Sequence, residues 1–441
     1  MRLSTAHLLS SLLALTAPLL QAQSVPDYEQ PPVSYSASKP NDAAARLQVR
    51  LETGELKLTG DDREILRTVL RELQVPVESQ VVVFSKTSLQ RGRIRPNQPR
   101  ALYFSDSIYV GWVPGGLIEV AAVDPQLGPI FYTFNPQPAR DEKHAFVRDS
   151  DCLRCHGGTF VRDVPGVFAR SIVPATNGEP LLRHGSELVD DQTPFENRWG
   201  GWYVTGYTGE KNHRGNAFGT ENGDRLDFPL SDRRPAELGD FFDTSRYLAG
   251  TSDVVALLVI EHQMAVQNAL TKSAQSCRRM LEYQRSLQKT FKDPVTDEPA
   301  YDSVKSVFRS AVEDIVDHLL FRGAAPLPAG VTGNEAFRRA FASDARRSPT
   351  GHSLKDFQLR DRLFTQRCSY MIYSESFTAL PPQLKSRVLD RLHGVLTGDD
   401  PRGRYAYLDA DEKRRIHEIL VTTHPEAKAR WAQLTAETAG R

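Results

Sequence analysis

The spacing of hydrophobic residues along the chain predicts strands first and helices later. Between residues 81 and 134, short runs rich in β-branched and aromatic residues are separated by glycine, proline and polar residues, as is typical of β-strands. The runs are VVVF (81–84), ALYF (101–104), SIYVGW (107–112), LIEVAAV (117–123) and PIFYTF (129–134). We expect these segments to form an antiparallel sheet.

One helix is predicted before the strands. Apolar residues recur at helical spacing from Ile65 to Leu73. Asp61 and Glu64 fit the pattern of an N-terminal capping box, and Pro76 ends the segment.

After Ser252 the period becomes helical. Six segments are predicted as helices: 252–291, 301–321, 333–342, 354–373, 381–396 and 409–424. The sequence therefore predicts an α+β fold, with the antiparallel sheet in the N-terminal half and an all-helical C-terminal half. We expect an α+β domain over residues 46–250 and a helical domain over residues 251–441.

The N-terminus has the layout of a secretory signal peptide over residues 1–24. Arg2 precedes an apolar run from Leu8 to Leu20, and small residues follow near Ala22. Residues 25–45 are rich in proline, serine and alanine, and they predict a loosely ordered leader. No later stretch reads as a membrane span, so we expect a periplasmic or secreted protein with no membrane span after signal cleavage.

Composition narrows the possible functions. The 441 residues include 55 basic and 55 acidic side chains, and this balance does not favour nucleic acid as a partner. Four cysteines in a chain of this length are too few for a disulfide scaffold.

The segment CLRCH at residues 152–156 carries the main chemical signal. Two cysteines three residues apart and a histidine directly after them form the pattern of c-type haem attachment, in which both thiols bond to the porphyrin and the imidazole binds iron. Cys152, Cys155 and His156 are therefore the predicted sites of one covalently attached haem (heme c). We expect Ser150 to cap the short helix and Gly157 to end it.

Two other interpretations of the cysteines fit less well. A thioredoxin-like redox pair needs no following histidine and usually lies on a βαβ unit. A structural zinc site needs four ligands, and the sequence has no second cysteine or cysteine–histidine pair.

The motif does not identify the second axial ligand of the iron. No methionine lies between Met1 and Met264. His262, on the apolar face of a predicted helix, is the first choice, and His213, in the loop segment EKNHRGN, is the second. Met264, His184 or no ligand are the remaining possibilities, and His262 is also interpretable as a core histidine.

The segments CLRCHGG, WGGWYVTG, HRGN and VVALLVIEHQ resemble those of exported bacterial monohaem cytochrome c domain proteins, over about residues 80–380. The resemblance implies haem attachment at Cys152 and Cys155 and iron ligation by His156. In that family the positions matching His213 and His262 also often hold histidine.

These observations predict an exported c-type cytochrome that transfers electrons to or from a redox partner protein or a small-molecule donor or acceptor. The alternative is a haem-dependent oxidoreductase of peroxidase-like type, or a redox or gas sensor, with an open iron site. The chain is larger than electron transfer alone requires, and this extra size is compatible with the alternative functions.

Overall fold

The computed structural model describes residues 25–439, so the predicted signal peptide lies outside the described residues. The helices are α1 (Ala43–Glu52), α2 (Asp62–Glu72), α3 (Leu153–His156), α4 (Val254–Phe291), α5 (Asp302–Leu319), α6 (Glu335–Phe341), α7 (Glu375–Thr378), α8 (Pro382–Thr397), α9 (Ala410–Thr423) and α10 (Pro425–Ala439). The strands are β1 (Val81–Val83), β2 (Arg100–Ser105), β3 (Ile108–Trp112), β4 (Ile118–Asp124), β5 (Gly128–Phe134), β6 (Phe146–Arg148), β7 (Ala169–Ile172), β8 (Ser186–Val189), β9 (Trp202–Tyr203), β10 (Thr220–Asn222) and β11 (Arg225–Asp227). The predicted α+β class is confirmed.

The main sheet has seven antiparallel strands in the order β6-β5-β4-β3-β2-β1-β9. Its strands β1 to β5 are the five predicted from the sequence. Alternate residues point to opposite faces, as the two-residue period of a strand requires. Val82 packs into the core on one face, whereas Val81 and Val83 pack into the core on the other.

Helices cover both faces of this sheet. The apolar stripe of α2 packs against one face together with α1. The predicted capping box of α2 is present, with Asp61 accepting from the Glu64 backbone N–H at 2.8 Å and Glu64 accepting from the Asp61 N–H at 3.0 Å.

The long helix α4 covers the other face and connects the sheet to the C-terminal helices. One hydrophobic core contains residues of the sheet, α4, α5, α8 and α9, so the predicted division at residue 250 does not separate two cores. Gln263 on α4 also donates to the Ser105 carbonyl and to the Tyr109 hydroxyl, both at 2.8 Å. By length and composition α4 is the described helix that would be able to cross a membrane, but nearly all of its apolar stretch is buried within the protein.

The segment 25–45, predicted as loosely ordered, packs closely against the sheet. Tyr28, Val33 and Tyr35 are buried, and the Tyr35 hydroxyl donates to the Pro129 carbonyl at 2.8 Å. The Arg148 guanidinium lies 4.5 Å from the centre of the Tyr35 ring. Composition alone misled because these few apolar side chains, set among proline and serine, are enough to hold the segment in place.

The helix predicted over residues 354–373 is wrong except at its end. A 3₁₀ helix covers Tyr370–Tyr373, and Leu359 has a left-handed φ of 58°. The Gln358 side chain accepts from the backbone N–H groups of residues 360–362, and this local bonding competes with helix formation.

Candidate functional site

The cysteine segment lies directly after the edge strand β6. A 3₁₀ turn at Ser150–Cys152 runs into the single turn of α3, which ends at His156. Asp149, rather than the predicted Ser150, caps the turn by accepting from the Asp151 N–H at 2.9 Å.

Gly157 ends α3 as predicted, and a side chain would not fit there. A Cβ at this position would lie 2.6 Å from the Tyr28 hydroxyl and 2.9 Å from the Leu153 carbonyl oxygen. The segment 25–45 therefore forms part of the wall around the cysteine segment.

The two motif thiols differ in environment. Cys155 is exposed, whereas Cys152 is half-buried and packs against the hydrophobic core. Burial, together with the nearby carboxylates of Asp149 and Glu119, raises the pKa of the Cys152 thiol to about 12. A reactive redox pair depends on a low-pKa thiolate, so the environment of Cys152 does not favour thioredoxin-like chemistry.

His156 is held in one defined tautomer. Its Nδ1 lies 2.9 Å from the Gly166 carbonyl oxygen, and because a carbonyl only accepts, Nδ1 carries the proton. Burial lowers the pKa of His156 to about 4, so the ring is neutral at pH 7. The Nε2 atom of a neutral ring protonated at Nδ1 has a free lone pair, which is the state that binds a metal.

Aromatic rings surround the His156 imidazole. Phe131 and Phe168 lie with their centroids 4.8 and 4.7 Å from that of His156. Phe160 lies 5.8 Å from Phe168 and is 45% exposed, so apolar surface is accessible beside the motif.

The loop after the motif is fixed to the helical half. Gly166 donates through its backbone N–H to the His156 carbonyl at 2.9 Å. Asn268 on α4 accepts from the Val167 N–H at 3.0 Å and donates to the Val167 carbonyl at 2.7 Å. Arg162, at a left-handed φ of 66°, reaches Asp314 on α5 at 2.8 Å. The histidine is thus positioned by contacts from both halves of the fold.

Arg100 is a positively charged side chain close to Cys152 and His156. It forms an ion pair with Glu119 on β4, and its charge acts on both Cys152 and His156. The arginine Nε is buried without a hydrogen-bond partner.

His213 is buried, with its ring edge-on to Trp199 at 5.0 Å. Its Nδ1 accepts from the Gly215 N–H at 3.0 Å, so in the neutral ring the proton is on Nε2. That Nε2 is buried without a partner. This tautomer is the reverse of the one in His156 and offers no lone pair at Nε2.

His262 is also buried, and both of its ring nitrogens are engaged. Nδ1 lies 2.8 Å from Asp191 Oδ2, and Nε2 lies 2.7 Å from the Ser369 hydroxyl. The Phe321 ring stacks on the imidazole with centroids 3.9 Å apart. Burial acts in the other direction, but the hydrogen bond from His262 holds the pKa of the Asp191 carboxyl below its usual value. His262 thus has the bonding of a core histidine.

Sequence reasoning missed the line Asp191–His262–Ser369, whose members are 71 and 107 residues apart. The order of hydrogen bonds matches a catalytic triad, but Ser369 is completely buried and its hydroxyl also accepts from the Met371 N–H at 3.2 Å. A nucleophile must reach its substrate, so this line is a buried structural network.

The structure therefore groups Cys152, Cys155 and His156 on one short segment, and no hydrogen bond or ring contact links His213 or His262 to it. Among residues 25–439, no group of three or more histidine, cysteine, aspartate or glutamate side chains is arranged to hold a metal ion. No family model, curated protein or solved structure matches the chain. The resemblance to exported monohaem cytochromes stays a prediction.

The buried His213 predicts a pH-dependent stability. Burial lowers the pKa of His213 to about 3, so this residue contributes stability that is complete above pH 6.5 and lost as the pH falls toward 3. Between pH 7 and pH 5 the loss is about 2 kcal/mol. We expect His213→Asn, which keeps an acceptor for Gly215 but does not titrate, to remove this loss in urea unfolding measured at both pH values.

The difference between wild type and His213→Asn reports the contribution of His213 alone. Burial raises the pKa of Glu261 to about 7, and this acts on stability in the opposite direction, but it is common to both proteins. Equal changes in unfolding free energy for wild type and variant between the two pH values would contradict the prediction.

Proposed function

We propose that this protein is an exported c-type cytochrome with one haem attached through Cys152 and Cys155. His156 is the proposed protein ligand of the iron. The protein then passes electrons to or from a redox partner in the periplasm or outside the cell. Haem iron, when bound, supplies a one-electron couple.

The tautomer of His156 is the observation that carries this proposal. The Gly166 carbonyl keeps the proton on Nδ1, and burial keeps the ring neutral, so Nε2 is in the ligating form. In a metal-binding histidine, the ring nitrogen that does not bind the metal usually donates a hydrogen bond, and this bond fixes the orientation of the ring. The adjacent thiols, one half-buried and one exposed, supply the two attachment atoms.

The remaining residues of the site have supporting roles. Asn268 and Arg162 fix the loop that carries the Gly166 carbonyl, and so they hold the imidazole in place. Phe160 leaves apolar surface near the motif, which suits contact with a planar apolar group or with a partner.

A haem oxidoreductase or gas sensor is the second candidate. The hydrogen bonding of His213 and His262, the two residues predicted as second iron ligands, favours it. His213 offers no lone pair at Nε2, and both nitrogens of His262 are hydrogen-bonded. Iron bound only by His156 would have a free coordination position for a small ligand.

Optical spectra of protein produced with the haem-attachment machinery test these candidates. We expect a covalent c-type spectrum in the wild type and a changed axial-ligand spectrum in His156→Ala. His417→Ala is the matched control, since His417 stacks on Trp431 in the C-terminal helices, is not among the predicted ligands and is expected to leave the spectrum unchanged.

Added carbon monoxide and cyanide then separate the two candidates. Low-spin iron that binds neither ligand supports the electron carrier, whereas high-spin iron that binds them supports the oxidoreductase or sensor. A wild-type protein without covalent haem contradicts both.

A further inference from the structure

A cavity separate from the cysteine segment lies between α4, the end of α5 and the irregular segment 354–369. Its volume is about 370 Å³, which is within the range of small-molecule sites. The lining includes the exposed residues Gly323, Pro326 and Asp361, so the cavity is open to solvent.

The walls of this cavity are mainly apolar and partly aromatic. The apolar lining residues are Leu258, Phe321, Leu327, Leu363 and Phe364. The rings of Phe321 and Phe364 are edge-on to each other, with centroids 5.8 Å apart. Phe321 has a left-handed φ of 56°, a strained conformation that is found often at ligand-binding sites.

Two of the arginines in the lining are balanced by two carboxylates. Arg362 and Arg367 contact the buried Glu412 at 3.4 and 3.2 Å. The carboxylate of Asp361, which is next to Arg362 in the chain, also lines the cavity. Together these four side chains carry no net charge.

Asp191 has a negative charge that no arginine of the lining balances. Arg198, the third arginine there, pairs with Glu261 at 2.8 Å. Asp191 Oδ2 accepts from His262 Nδ1 at 2.8 Å, and the acceptor for the Ser369 hydroxyl is His262 Nε2 at 2.7 Å. An imidazole that donates through one nitrogen and accepts through the other is neutral, so His262 does not cancel the charge of Asp191.

The second oxygen of the Asp191 carboxylate, Oδ1, is available to a ligand. It has no hydrogen-bond partner among residues 25–439, and the side chain is 14% exposed in the lining of the cavity. A carboxylate against apolar walls is poorly hydrated. A cation that donates to it is therefore bound more strongly than in water.

We propose that this cavity binds an organic monoamine, in its cationic form, with an aromatic or branched apolar body. The ammonium group donates to Asp191 Oδ1, and the apolar body lies between Leu258, Phe321 and Phe364. Aromatic walls add a favourable interaction with the cation. This site is independent of haem attachment.

Isothermal titration calorimetry on the purified full-length mature protein tests this site, with 2-phenylethylamine as the probe. We expect the amine to bind at least about tenfold more tightly than 2-phenylethanol, because the alcohol cannot form the charged pair. The anion 3-phenylpropionate should bind most weakly, because its carboxylate is repelled by Asp191.

Two variants test the role of Asp191. Asp191→Asn keeps an oxygen that accepts from His262 but removes the charge, so we expect it to weaken amine binding about tenfold and to leave alcohol binding unchanged. The matched control is Asp190→Asn, at a neighbouring carboxylate that accepts from the Gln192 N–H at 2.9 Å and is not part of the lining. It should change neither affinity.

The ranking of the three ligands on the wild type needs no variant, so it decides the proposal even if Asp191→Asn does not fold. Equal affinity for amine and alcohol, tighter binding of the anion, or no binding of the amine at millimolar concentration would overturn the assignment. Because an amine also binds an open haem iron, the optical spectrum is recorded during the titration, and binding in the cavity should leave any haem bands unchanged. Amine affinity that survives in a folded Asp191→Asn protein would also overturn the assignment, and none of these outcomes depends on whether haem is attached.

Discussion

Protein in which Cys152 and Cys155 are both changed to alanine should be exported, folded and free of covalent haem. The two thiols are the attachment atoms in the proposed chemistry, and without them no thioether can form. Cys155 is exposed and Cys152 is half-buried, and each substitution exchanges one small side chain for another, so we expect the fold to be retained with a modest loss of stability. Haem staining of denatured protein on a gel and the thermal unfolding midpoint provide the two measurements.

A cysteine outside the motif provides the matched control for this variant. Cys277 lies buried on α4, within the core. Cys277→Ala should retain haem staining at the wild-type level, with at most a modest loss of stability. If the double variant of the motif retained haem after denaturation, the assignment of the attachment atoms would be incorrect.

Glu261→Ala should be strongly destabilising. Arg198 is only 2% exposed, and its guanidinium and the Trp199 indole N–H donate to the two Glu261 oxygens at 2.8 and 2.6 Å. Removal of the carboxylate leaves a buried cation without its counter-ion, which costs about 3–5 kcal/mol of unfolding free energy. Chemical denaturation at pH 7.5 measures this loss.

Two further variants show whether charge is the cause. The double change Arg198→Met with Glu261→Met removes both charges and should be much less destabilising than Glu261→Ala. Glu196→Ala, at a side chain that is 53% exposed and 4.0 Å from Lys211, should cost under about 0.5 kcal/mol. A loss for Glu261→Ala as small as that for Glu196→Ala would contradict the account of this buried network.

Local patterns predicted the parts of the fold that depend on neighbouring residues in sequence. The strands β1 to β5 follow from their two-residue period and their turn residues, and the start of α2 follows from Asp61 and Glu64. The segment 354–373 was not predictable in this way. Its composition favours a helix, but the Gln358 side chain accepts hydrogen bonds from the backbone N–H groups of residues 360–362. The packing of residues 25–45 depends on a distant partner, the Pro129 carbonyl, which no local pattern reveals.

The candidate site divides in the same way. Cys152, Cys155 and His156 are contiguous, so the sequence was sufficient to identify them as a set. The state of each histidine was not readable from sequence, because it depends on atoms far along the chain. His262 lies on the buried face that its helical spacing predicts. Its two ring nitrogens, however, are hydrogen-bonded to Asp191 and Ser369, which are distant in sequence.

The mass of the mature protein, produced with the haem-attachment machinery and measured under denaturing conditions, tests the central claim most directly. The account predicts a mass greater than that of the polypeptide by one haem per chain. It also predicts that peptide mapping places the added mass on the segment that contains Cys152 and Cys155, with both thiols resistant to alkylation. A chain at the unmodified polypeptide mass, with both of these thiols open to alkylation, would contradict it.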